Sequence, residues 1–264
     1  MSTAPRLNCS KPGFNFCPLA LLLSAVVFMA LPTESKAGIL LSAESFAVLG
    51  ASAVTSTGNT VINGDLGVSP LTSITGFGPG VVNGSTHIND AVALQSQTDA
   101  LIAYTSLKNE ASTNDLTGQD LGGLTLTAGV NTFDISAGLT GILTLDAEGD
   151  SDARFVFQID TTLITASSSS VILINGAQAS NVFWQVGSSA TLGTNSSFSG
   201  TILADQSITL TTGASLLGRA IALNAAVTMD NNLISVPEPS SLLLEISCLG
   251  FVFARKRKAR SLAA

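Results

Sequence analysis

The chain has 264 residues, enough for one large domain or two small ones. Residues 38–235 hold fifteen of its eighteen acids but only Lys108, Arg154 and Arg219 of its eleven bases, leaving a net charge near −12 there. Such a field repels phosphate and excludes a nucleic-acid partner. Cys9, Cys17 and Cys248 all lie in the terminal segments, so 38–235 can form neither a disulfide nor a Cys-ligated metal centre.

In chain order, Arg6 and Lys11 precede an apolar run at 18–31, and Ser35-Lys36-Ala37 offers small residues at cleavage spacing. This is the layout of a secretory signal peptide over 1–37, removed by signal peptidase after Ala37. The alternative is an N-terminal anchor, for which the run is short against a span of about 20 residues.

A first β-prone segment covers 39–88, and residues 89–111 then break its rhythm. Asn89 can cap a helix, and the residues after it are good helix formers with no Gly or Pro before Gly118. One helix over about 89–111 is expected.

From 121 to 235 a short phrase rich in Thr and Val, Ile or Leu recurs, ended by Gly, Asn or Ser. Copies align on Leu192, Leu210 and Met229 at 18- and 19-residue spacings, and TTLITASSSSVILI (161–174) aligns through Leu163 with an extra loop after it. Periods near 20 predict a solenoid whose coils bury their apolar side only against neighbours. In Ser207-Ile208-Thr209-Leu210-Thr211 the apolar pair has one parity and the hydroxyls the other, so Ile208 and Leu210 face inward. A β-sandwich alternates similarly, but its turns do not recur in register. The outward set is Thr162; Ser189, Thr191, Gly193; Ser207, Thr209, Thr211; and Ala226, Thr228, Asp230. A second ladder, Thr165, Thr194 and Thr212, each followed by Ser168, Ser197 or Ser215, has inward parity and sits beside expected bends, which assigns it to corners or the interior.

Other groups give weaker signals. Asp146, Glu148, Asp150 and Asp152 alternate as in a calcium loop, but the turn Gly and the closing Glu are misplaced, which favours a solvated acidic turn. His87, the only histidine, has no metal-binding or catalytic partners in the sequence. Phe183 and Trp184 are expected to fill core or cap the domain, and Arg154 and Arg219 to pair with acids. No metal or cofactor is expected.

At the C-terminus Val236, Pro237, Glu238 and Pro239 lead into an apolar run at 242–253 and a cluster of Arg and Lys. This layout resembles the Pro-Glu-Pro (PEP-CTERM) sorting signal of Gram-negative bacteria, which exosortase-type membrane proteases recognise. Glu245 inside the apolar run departs from that pattern. A permanent tail anchor is the alternative. The resemblance implies export by the secretory route, transient membrane contact through both termini, and a mature product outside the cell or on its surface.

Several phrases of the domain, SFAVLGASAVTSTGNTVINGDLGVSP (45–70), NDAVALQSQ (89–97), DLGGLTLTAGV (120–130), FVFQI (155–159), INGAQASNVFWQVGSSATLGT (174–194) and GRAIALNAAVTMDN (218–231), together resemble the microbial ice-binding (antifreeze) proteins of the irregular β-solenoid type. The resemblance covers essentially all of 38–235. It implies a mainly β fold: a right-handed, roughly triangular β-helix with one long α-helix alongside, its first segment stacked beside the last coil. It implies adsorption to an ice crystal surface, with growth and recrystallisation slowed. The face it implies is the outward set above, with Thr162, Ser189, Thr191, Ser207, Thr209, Thr211, Ala226 and Thr228, extended by Ser52, Val54 and Ser56. A monomer is expected. Two rival functions remain: a polysaccharide-active enzyme, disfavoured by having only three bases, and a surface adhesin or matrix component without ice activity.

Overall fold

The computed structural model describes residues 38–237. The expectations for 1–37, for Glu238 and Pro239, and for the apolar and basic tail lie outside the described residues. Among the described residues the fold is mainly β, with parallel sheets and one α-helix.

Seven strands form one sheet, in the spatial order 137–139, 163–165, 190–192, 208–210, 227–230, 53–57, 73–75. A larger, fifteen-stranded sheet holds the rest in two rows. The long strands Ser197–Ala204 and Ser215–Ala222 belong to both rows and bend at Gly200 and Gly218, each at positive φ. A Cβ on Gly218 would collide with the carbonyl oxygen of Gly200 on the next strand, so only glycine permits this close approach.

Described strand pairings such as 190–192 with 208–210, 208–210 with 227–230 and 197–204 with 215–222 are parallel. Hairpins cannot make such pairs, because each strand must return after a full pass of the chain. Leu192, Leu210 and Met229 are register partners, as their common spacing requires. The copy at 161–174 is a correction. Leu163 lies opposite Ala190, and it is Thr165 that lies opposite Leu192, two residues from the sequence alignment. The connection from 175 to the strand Val182–Val186, which contains a 3-10 turn at Ala179–Asn181, hides the true offset. The slip is even, so the inward and outward sets survive it.

The order of passes in space is not the order in sequence. Strand 53–57 pairs with 227–230, 61–63 with 233–235, and 46–50 with 215–222, so the first segment stacks against the last repeat. The chain must then travel from 86–88, at one end of the stack, to 114–115 at the other. Eight pairings separate them in this row, roughly 38 Å at about 4.8 Å per strand. Helix α1, Ala91–Lys108, covers about 27 Å of that. It starts later than expected: Asn89 sits at φ +47, and the Asp90 carboxylate accepts from the Ala93 N–H at 2.9 Å, making Asp90 the N-cap.

Ala100, Ala103, Tyr104 and Leu107 of α1 pack on Phe46, Leu49, Val156, Phe183, Leu203 and Ile221 of the larger sheet. Strands beneath the helix therefore bury both faces, and Phe46–Gly50 and Val182–Val186 show no exposed residue. Inside the stack, Trp184 lies flat on Phe157 (ring centroids 3.8 Å apart), and its indole N–H donates to the Ser199 carbonyl at 3.0 Å. Arg154 pairs with Glu110 at 2.7 Å. Arg219 is buried and donates through Nε to the Glu44 backbone carbonyl at 2.9 Å, with the Glu44 charge close enough to favour its cationic form.

Candidate site: the threonine columns of the seven-stranded sheet

The seven-stranded sheet keeps an unshifted register across its six pairings, so its outward residues fall into columns. The central column runs Gly138, Ile164, Thr191, Thr209, Thr228, Thr55, Thr75. Five consecutive threonines thus stand about 4.8 Å apart, and the flanking columns lie about 6.6 Å away along the strands. Beneath them Ala190, Ile208, Val227 and Val54 form a fully buried row that holds the strands in place.

The first flanking column continues from the backbone bonds Leu163 N to Ser189 O, Ala190 N to Ser207 O and Ile208 N to Ala226 O. It therefore contains Thr162, Ser189, Ser207 and Ala226, followed by Ala53 and Ser73. The other flank holds Gly193, Thr211, Asp230 and Thr57, and here the hydroxyls are committed. Thr211 Oγ1 donates to the Leu192 carbonyl at 2.7 Å, and Thr57 Oγ1 to the Asp230 carboxylate at 3.0 Å. Asp230 also accepts from Thr212 and from Asn231. The Thr212 and Thr57 hydroxyls hold its carboxyl below the usual aspartate range. One carboxylate therefore borders the columns, its oxygens already engaged by neighbours.

Of the residues expected on this face, Thr162, Ser189, Thr191, Ser207, Thr209, Thr211, Ala226 and Thr228 all lie outward on the one sheet. The first segment is a correction. Val54 is fully buried and Ser56 is 1% exposed, whereas Ala53, Thr55 and Thr57 face out. Ser52 sits at the bend before the strand, its N–H on the Ala225 carbonyl, so Ala53 takes the place beside Ala226. The expected parity is one residue out, which turns the strand over. Aligning the turns reveals the register: the Asn59 N–H donates to Asn231 Oδ1 across the stack, matching Thr57-Gly58-Asn59 to Asp230-Asn231-Asn232. Thr55, Ser73 and Thr75 were the residues missed.

The Thr165, Thr194 and Thr212 set does not form a single ladder. Thr165 is interior and accepts from the Gly193 N–H at 2.8 Å, while Thr194 and Thr212 lie at the following turn. Ser170, not Ser168, is in register with Ser197 and Ser215.

Four other acids serve the turns. Asp115, Asp120, Asp146 and Asp150 each accept from a backbone N–H two residues on. His87 Nδ1 lies 2.7 Å from Asp90 Oδ2. Val236 donates its N–H to the carbonyl of Asn63, the last residue of strand 61–63.

A family model described as ice-binding-like matches residues 48–235. The chain belongs to the ice-binding-like family. It is 51% identical over 259 residues to an ice-binding protein of Nostoc sp. (strain HG1), covering 91% of this chain and 96% of that one. An ice-binding protein of Flavobacterium frigoris (strain PS1) is 31% identical over 210 residues, covering 74% and 75%. The crystal structure of an ice-binding protein from the Antarctic ascomycete Antarctomyces psychrotrophicus superposes with a TM-score of 0.74 at 47% identity, covering 76% of this chain and 98% of that one. The aligned part is thus nearly the whole of that crystallised protein. The match spans all five column threonines and α1.

Proposed function

We propose that this protein adsorbs to ice through the threonine columns of its seven-stranded sheet, slowing ice growth and recrystallisation without catalysing any reaction. The observation that carries this reading is the unbroken run Thr191, Thr209, Thr228, Thr55, Thr75, flanked on one side by Ser and Ala and free of any positive charge. Ordered water needs a stiff lattice of weak, evenly spaced donors, acceptors and methyl groups. Strand pairing fixes the two spacings, and a β-branched side chain restricted in χ1 loses little freedom on adsorption. A densely charged face would bind liquid water instead.

The scaffold for this activity is a right-handed, roughly triangular solenoid. Its support is the all-parallel pairing and the three rows of strands visited in each pass. Export through a signal peptide at 1–37 and sorting through Val236, Pro237, Glu238 and Pro239 by an exosortase-type protease complete the proposal, with transient membrane contact at both termini. The mature domain would then work outside a Gram-negative-type cell or on its surface. An ice-affinity pulldown of residues 38–237 tests the activity: the domain is expected in the ice fraction. Folded protein left wholly in the liquid would favour a surface adhesin.

A further inference from the structure

Helix α1 buries one side against the larger sheet and leaves an apolar stripe on the other. Leu94, Leu101 and Ile102 are 53–57% exposed. Thr98 and Thr105 lie on the same stripe and turn their hydroxyls back, Thr98 Oγ1 to the Leu94 carbonyl at 3.0 Å and Thr105 Oγ1 to the Leu101 carbonyl at 2.8 Å. Their methyl groups are left to the surface. The one ionisable carboxylate within the helix, Asp99, is buried and bound to the Ser42 N–H and hydroxyl. The outer face is therefore uncharged from Ala91 to Leu107, with Asp90 at one end and Lys108 at the other. Among the described residues Lys108 forms no ion pair, whereas Arg154 is paired and Arg219 buried.

We propose that this stripe docks against the same stripe of a second copy, with the two helices antiparallel. Three features select that occupant. Leu94, Thr98, Leu101, Thr105 and Lys108 are spaced four, three, four and three residues apart, the seam of a helix pair. Turning one helix end for end about its midpoint sets Leu94 against Thr105 of the second copy and Leu101 against Thr98 of the second copy, large into small at each position. The same rotation brings Lys108 beside Asp90 of the second copy at both ends, and opposes the helix dipoles favourably. A lipid surface fits poorly, because the domain offers one free cation against a surplus of acids. The patch is small compared with the roughly 800 Å² per partner of a stable interface, so the association is weak. Docking there leaves the seven-stranded sheet of both copies uncovered.

Sedimentation velocity of residues 38–237, from about 5 µM to about 1 mM, tests this. The mass should rise reversibly from that of one chain toward two. Leu101→Glu should hold it at one chain with an unchanged melting temperature, and Lys108→Glu should weaken association roughly fivefold. A wild-type mass fixed at one chain throughout overturns the proposal, as does an unaffected dimer in Leu101→Glu. So does monomeric protein that co-sediments with phosphatidylcholine vesicles through Leu101, which would assign the stripe to lipid.

Discussion

Thr55 and Thr228 are register partners on adjacent parallel strands, above the buried pair Val54 and Val227, although nearly the whole described chain separates them. The first segment, in two passes, therefore supplies two of the five rungs of the threonine column, and the column is complete only once the last repeat has folded against it. Thr55→Tyr should abolish most thermal hysteresis, because a phenol raised above a plane of small groups prevents contact. Ser52→Tyr, at the bend, should leave most of it. Melting should shift by less than about 1 kcal/mol equivalent in both, as for exposed changes. Equal losses in the two variants would put Ser52 back on the face.

The column ends where Ile164, 54% exposed, stands in line with Thr191. Its bulk interrupts the hydroxyl lattice one rung early. Ile164→Thr should raise thermal hysteresis at equal concentration while changing stability by no more than about 0.5 kcal/mol. Unchanged or lower activity would show that the lattice at that rung contributes nothing.

Beneath the columns, rigidity depends on the packed interior. Leu210, 1% exposed between Leu192 and Met229, should cost about 2–5 kcal/mol when cut to Ala. Trp184→Ala, which removes the stack on Phe157, should cost about 3–5 kcal/mol. Urea unfolding gives both values. Losses below about 1 kcal/mol would mean the interior collapses around the gap.

Acid should destabilise the domain at low pH. The Ser42 hydroxyl holds the Asp99 carboxyl below the usual aspartate range, the Thr212 and Thr57 hydroxyls do the same for Asp230, and the Ala93 N–H does so for Asp90. A carboxyl depressed in the folded state stabilises it above the unfolded value of about 4, and that stability is lost as pH falls through the folded value. Melting temperature should therefore stay level as far as these groups are concerned from pH 7 to about 5, then drop below about 4. Asp99→Asn should flatten part of that drop.

Much of this was readable in the chain because the repeat carries its own register. Leu192, Leu210 and Met229 share spacing and parity, so the outward positions of Thr191, Thr209 and Thr228 followed from alternation alone. Two errors came from segments where that rhythm is interrupted. The connection before Val182 shifted the 161–174 copy by an even step, which did no harm to parity. In the first segment the outward set Ser52, Val54 and Ser56 rested on the family resemblance alone, and the register places Val54 and Ser56 in the interior, one residue away from the outward parity. Thr75 was not legible at all, since Ser73–Thr75 is a three-residue strand between a proline-containing bend and Gly76, too short to show a period. The helix was legible in place, Ala91–Lys108 lying within the expected 89–111, but its ends were not: Asn89 and Asp90 both suit an N-cap, and only backbone geometry separates them.

The most direct measurement compares one substitution on two surfaces: thermal hysteresis of residues 38–237 carrying Thr209→Tyr or Leu217→Tyr. Thr209 stands in the threonine column on the middle strand of the seven-stranded sheet, and Leu217 is exposed on the larger sheet. Loss in Thr209→Tyr with near-full activity in Leu217→Tyr is the expected result. Activity kept in Thr209→Tyr and lost in Leu217→Tyr would place the ice-contacting surface on the other sheet.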